Sequence, residues 1–139
     1  MTRADAMAFL TKAEQYLAAA QDSFAAKRFT VAAGDAIHAG ISAKDAIMTM
    51  RTGSTGKGKD HMQAVRELRL GLGDRADAPA AERSLRELLA AKPDVEYGVE
   101  LYPEAKAKAL LRRADGLVEL AAAIVRRGES GLDVQSRGS

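Results

Sequence analysis

Cysteine and tryptophan are missing from the 139 residues, and only three Tyr, three Phe and three Pro are present. Without cysteine there is no disulfide framework and no thiolate-bound metal. Two histidines, His38 and His61, are too few for the usual zinc ligand set, so no metal site is expected. Scarce aromatics leave few platforms for stacking single-stranded bases. No run approaches the ~20 consecutive apolar residues that span a bilayer. The opening residues 1–7, with Arg3 and Asp5, lack a signal-peptide apolar core, so a cytoplasmic protein with no membrane partner is expected. Neither sign of charge dominates. The balance of 21 Lys and Arg against 19 Asp and Glu leaves +2, too mild for the basic face of a DNA-binding protein.

What is present is alanine, leucine and helical periodicity. Hydrophobic residues make up 47% and charged residues 29%, an ordinary balance for one domain with a real core. The spacing predicts a first helix over residues 3–27, with Thr2 as N-cap and Leu10, Ala13, Leu17, Ala20 and Phe24 as its inner stripe. A second helix over 29–51 carries two apolar lines. Ala32, Ala36, Ala39, Ala43, Ala46 and Met50 form one, and Ala33, Ile37, Ile41 and Met48 the other. A helix apolar around most of its circumference belongs in the middle of a bundle. Gly34 and Gly40 let a neighbouring backbone come close, at roughly 1 kcal/mol of helix propensity each.

A Gly- and Lys-rich stretch, 52–59, ends that helix. The third helix is expected over 60–72, with Met62, Val65, Leu68 and Leu72 inward. Pro79 suits the first position of a shorter fourth helix, with Ala81, Leu85, Leu88 and Leu89 inward. Residues 94–102 alternate, Val95, Tyr97, Val99 and Leu101 against Asp94, Glu96 and Glu100, which predicts an extended arm lying across the bundle. Pro103 opens the last helix, over 103–127, with Gly128 as its cap. Residues 128–139 read as a disordered polar tail. The sum is one all-α domain over 1–127, an antiparallel up-and-down bundle of four main helices plus a short one.

Two polar constellations interrupt this pattern. Asp35, His38, Ser42, Asp45 and Thr49 recur at three and four residues and share one face of the second helix. They form either a pocket where His38 and a carboxylate exchange protons or a satisfied or solvated strip. The second constellation is Arg51, Lys57, Lys59, Asp60 and His61. Its glycines could admit a phosphate to backbone N–H groups. The stretch follows no strand and lacks P-loop spacing, so Asp60 reads first as the N-cap of the third helix. Arg66, Arg69, Arg83, Arg86, Arg112 and Arg113 are interleaved with Glu67, Glu82, Glu87, Glu104 and Asp115 as on a solvated face, unless the arginines of several helices converge into an RNA-binding groove. No cofactor motif is present.

The segment Ala36-Ile37-His38-Ala39-Gly40-Ile41-Ser42-Ala43-Lys44-Asp45-Ala46-Ile47, the glycine-rich loop, Lys59-Asp60-His61 and Ala64-Val65 together resemble the HEPN domains. The Ala26-Lys27-Arg28-Phe29 turn, Leu88-Leu89, Lys92, Glu96-Tyr97-Gly98 and the helix through Ala114 and Leu120 extend the resemblance over residues 3–127. It implies a helical bundle, a homodimer, and work beside a small nucleotidyltransferase or as an RNase in toxin–antitoxin and defence systems. Catalytic members carry Arg four to six residues before His. Here Arg28 and Arg51 each stand ten positions before the next histidine, so that catalytic pair does not carry over. The expected function is therefore a non-catalytic interaction module for a protein partner, RNA or nucleotide. Two other readings stay open. One is a metal-independent RNase with a variant site at Arg51 and His61, or at His38. The other is a structural subunit of a larger complex.

Overall fold

Five helices account for the regular structure in the computed structural model, which describes residues 1–56 and 60–130. They are α1 (Arg3–Ala25), α2 (Phe29–Thr52), α3 (His61–Leu72), α4 (Ala78–Tyr97) and α5 (Glu104–Arg127), and no strand occurs among the described residues. None of the helices is long and apolar enough to cross a membrane.

Local chemistry sets the helix ends. Thr2 Oγ1 accepts from the Asp5 amide while the Asp5 carboxylate accepts from the Thr2 amide, a capping box that starts α1. The Thr2 amide also holds the Asp5 carboxyl below its ordinary range. Asp60 Oδ1 accepts from the Gln63 amide at 2.8 Å and starts α3. Gly128, at φ 66°, takes the left-handed conformation that closes α5.

The alanine-rich helix is central. Thirteen of the 24 residues of α2 are buried, and α2 packs against each of the other four helices. α1 and α4 each pack against both α2 and α5 but make no extended contact with each other. The section is thus a rhombus with α2 and α5 on its short diagonal. Small side chains permit that closeness. Ala32, Ala33, Ala36, Ala39, Ala43 and Ala46 are all fully buried. Gly40 goes further, since a Cβ there would stand 2.5 Å from Leu88 Cδ1 of α4. Larger side chains fill the remaining space, among them Leu10, Ile37, Ile47, Leu85, Leu117 and Ile124.

Three expectations need correction. The extended arm over 94–102 does not exist as such. α4 runs through Pro93 to Tyr97, 20 residues in all, and only residues 98–103 are non-helical. Pro93 lacks the amide that would bond one turn back, yet Val95 still packs against the core. The short helix is consequently α3, with 12 residues, and not the fourth. Met62, expected inside, is 56% exposed, whereas Val65, Leu68 and Leu72 are buried as their spacing implies.

Of the tail expected over 128–139, the first residues are described. Gly128 is a helix cap, and the Glu129 carboxylate accepts from Arg75 Nη1. Residues 131–139 lie outside the described residues.

Candidate functional site

The polar strip of α2 divides into separate environments. The His38 ring stacks on Tyr16 of α1, with centroids 5.3 Å apart and planes at 28°. Its Nε2 stands 3.5 Å from Glu96 Oε1 in the last turn of α4. Asp35, three residues earlier, has its carboxyl raised above the ordinary range by burial, partly offset by the nearby His38 charge. Ser42 and Thr49 are buried, and the Thr49 hydroxyl points to Met1 Sδ at 3.8 Å. Asp45 accepts from Lys44 Nζ at 2.6 Å, and the same ammonium reaches the Thr55 carbonyl at 3.4 Å. Only Asp35 and His38 thus share surroundings, and what their cluster does is tie α1, α2 and α4 together.

The second constellation separates as well. Arg51 is buried, donating through Nε to the Gly71 carbonyl at 3.0 Å and through Nη2 to the Leu72 carbonyl at 3.5 Å. It therefore satisfies the C-terminal carbonyls of α3, where cations are favourable. His61 is exposed at the opposite end of α3, roughly 15 Å away along the axis at 1.5 Å per residue. Arg51 and His61 do not meet. Asp60 is engaged as the N-cap, and Lys57 and Lys59 lie outside the described residues. Among the described residues, no group of three His, Cys, Asp or Glu side chains is placed to hold a metal.

Three of the six interleaved arginines are paired with acids. Arg69 and Arg86 both lie against Glu82, and Arg113 pairs with Glu87. Arg75 is held by Asp77 and Glu129, and its guanidinium is pushed up chiefly by the Asp77 hydrogen bond. Acid interleaved with base leaves a mixed surface.

The surface with the clearest capacity for recognition is one the sequence reading did not place. Residues 98–103 connect α4 to α5, and Gly98 and Pro103 are both extended, with ψ 151° and 150°. The Tyr102 amide donates to Thr30 Oγ1 at 2.9 Å, which pins the connection to the start of α2. Tyr102 is half-buried, and its phenol is shifted upward by burial first and Asp94 second. Ahead of that anchor the side chains face water. Tyr97 is 80% exposed, Leu101 86%, and Val99 completely. Val31, in the first turn of α2, is half exposed. A groove runs between the connection and the α1–α2 turn. Phe29, Val31, Leu101 and Tyr102 form its apolar lining, and its only ionised lining residues are Lys27 and Arg28. The amides of Val99, Glu100 and Leu101 make no hydrogen bond within the described residues. The signal for this surface was the Val95-Tyr97-Val99-Leu101 alternation together with Gly98 and Pro103. Apart from Val95, which packs against the core, it marks exposed side chains.

α3 carries two further exposed apolar side chains, Met62 and Leu70, but Arg66 stands between them at helical spacing. No family model, curated protein or solved structure matches the chain.

Proposed function

We propose that this chain is a non-catalytic, HEPN-like interaction module that docks onto a protein through the end of the bundle where α4 passes into α5. The observation that carries the reading is the run of Tyr97, Val99 and Leu101 side chains, exposed beside an apolar groove. Contiguous exposed apolar surface rimmed by polar residues is characteristic of interaction sites. An extended segment with unpaired amides adds backbone groups that a partner can bond.

The antiparallel up-and-down order belongs to the same proposal and has independent support. The Met1 ammonium donates to the Gly53 carbonyl, putting the start of α1 beside the end of α2. Arg3 donates to the Arg126 carbonyl, putting that start beside the end of α5. Tyr102 and Thr30 meet where α5 and α2 begin. Adjacent helices of the rhombus then run in opposite senses, and the diagonal pair α2 and α5 run in the same sense, as in four-helix bundles. A variant RNase site at Arg51 and His61 is not carried forward, because the Arg51 guanidinium serves the α3 carbonyls.

The test is affinity capture from the native cell with the wild-type chain and a Leu101→Asp variant. Leu101 supports no core contact, so the variant keeps its helical circular dichroism and melting temperature. Loss of the captured protein with the fold intact supports the reading. Equal capture by both chains overturns it.

A further inference from the structure

The groove between the α4–α5 connection and the α1–α2 turn joins an apolar lining to charge of one sign. Lys27 and Arg28 line it, both exposed, and no acid shares the lining. Neither cation makes an ion pair among the described residues. Glu100, the acid of the connection, lines a different cavity with Asp94 and Lys106. The turn that carries the cations is fixed. The Lys27 amide donates to the Phe24 carbonyl at 2.9 Å and the Arg28 amide to the Ser23 carbonyl at 2.8 Å. Two cations on a turn already ordered spare a ligand the cost of ordering it. The groove holds about 240 Å³, below the roughly 300–1,000 Å³ of sites that enclose drug-sized molecules. It suits an anchoring side chain of a larger partner. Beside it, the unbonded amides of Val99, Glu100 and Leu101 are open to a chain laid alongside.

Resting on the docking surface proposed above, we infer that its occupant is an extended acidic segment of a partner protein. One apolar side chain of that segment seats among Phe29, Val31 and Leu101, and an Asp or Glu next to it meets Lys27 and Arg28. Unpaired cations beside an apolar seat select acid over base, because a basic residue there meets like charge. The lining also selects peptide over nucleic acid. Phe29 is half-buried in an edge-to-face pair with Phe24, and Tyr102 is half-buried at its anchor. Aliphatic Val31 and Leu101 are the exposed apolar lining, and they give a base no face to stack on.

The experiment is fluorescence anisotropy on the full chain with four labelled probes. Three are short peptides, alternating Leu with Glu, Leu with Lys and Ser with Glu, and the fourth is an oligouridylate matched in charge to the first. The Leu–Glu peptide is expected to bind with a Kd on the order of 10–100 μM, more weakly as salt is raised. The Leu–Lys and Ser–Glu peptides are each expected to bind at least about tenfold more weakly. Lys27→Glu with Arg28→Glu reverses the preference between the two Leu peptides. Both positions are exposed, and Lys27→Glu exchanges one non-glycine residue for another at φ 63°, so circular dichroism stays that of the wild type. No binding of the Leu–Glu peptide up to about 1 mM overturns the inference. So does equal affinity for the Leu–Lys or the Ser–Glu peptide, a preference that survives the charge reversal, or tighter binding of the oligouridylate. Each of these outcomes leaves the docking surface itself to be judged by the Leu101→Asp capture, so the two failures are distinguishable.

Discussion

Arg51 Nε lies 3.0 Å from the carbonyl oxygen of Gly71, and this bond ties the last turn of α2 to the last turn of α3. A buried guanidinium on helix carbonyls contributes through charge-assisted bonds and through the carbonyls it keeps satisfied. Arg51→Met is expected to destabilise the chain by about 2 kcal/mol, read as a lower urea midpoint. Arg51→Lys recovers only part of that, because one ammonium lacks the fork that spans both carbonyls. An unchanged midpoint for Arg51→Met would remove the structural role assigned to this residue.

Two glycines in helices are expected to respond oppositely to alanine. At Gly40 the new Cβ would stand 2.5 Å from Leu88 Cδ1, so the fully buried Leu88 side chain must give way. The overpacking costs about 1–3 kcal/mol, more than the helix propensity recovered. At Gly116 nothing lies within 4 Å, and alanine gains about 0.5–1 kcal/mol. Thermal melts are expected to move down for Gly40→Ala and up for Gly116→Ala.

Asp60 caps α3 through the 2.8 Å bond from the Gln63 amide, as its place in the sequence predicts. Asp60→Ala is expected to cost about 1 kcal/mol, and Asp60→Ser a few tenths. A cap is judged by stability alone. If alanine leaves the denaturation midpoint where it was, the capping assignment fails.

Asp35 gives a pH dependence with a definite sign. Burial raises its carboxyl above the unfolded value, so the folded chain binds this proton more tightly. Below the unfolded pKa both states are protonated and the group costs nothing. As pH rises through the folded pKa the folded state must hold a partly buried charge, and stability is lost. Asp35→Asn is therefore expected to match the wild type near pH 3 and exceed it at pH 7, in urea midpoints taken across that interval. A gain confined to low pH would reverse the assignment.

Much of the architecture was legible because helical periodicity is a direct consequence of burial. The stripes of α1, α2 and α5 alternate at three and four residues where the core requires them, and Thr2, Asp60 and Gly128 cap where their chemistry predicts. α4 departs from its sequence pattern past Pro93. A proline and an alternating pattern argue locally for extended chain, whereas the last turn is helical, with the Gly98 amide bonded to the Asp94 carbonyl and with tertiary contacts at Val95 and Glu96. The candidate site was less legible for a related reason. Equal spacing put Asp35, His38, Ser42, Asp45 and Thr49 on one face, but that face meets different neighbours along its length, which no single helix encodes. Arg51 resembled a phosphate ligand in sequence because its partners, the carbonyls of residues 71 and 72, are twenty positions away.

Pro93 has one more effect. Because it contributes no amide proton, the helix beyond it is joined to the helix before it by a weaker seam. Beyond the seam, the chain is fastened at the imidazole–carboxylate contact of His38 with Glu96 and at the amide of Tyr102. Between those fasteners Val99 and Leu101 face water, while Leu85, Leu88 and Leu89 are packed inside. A substitution that changes what this end offers to the outside therefore leaves the interior as it is.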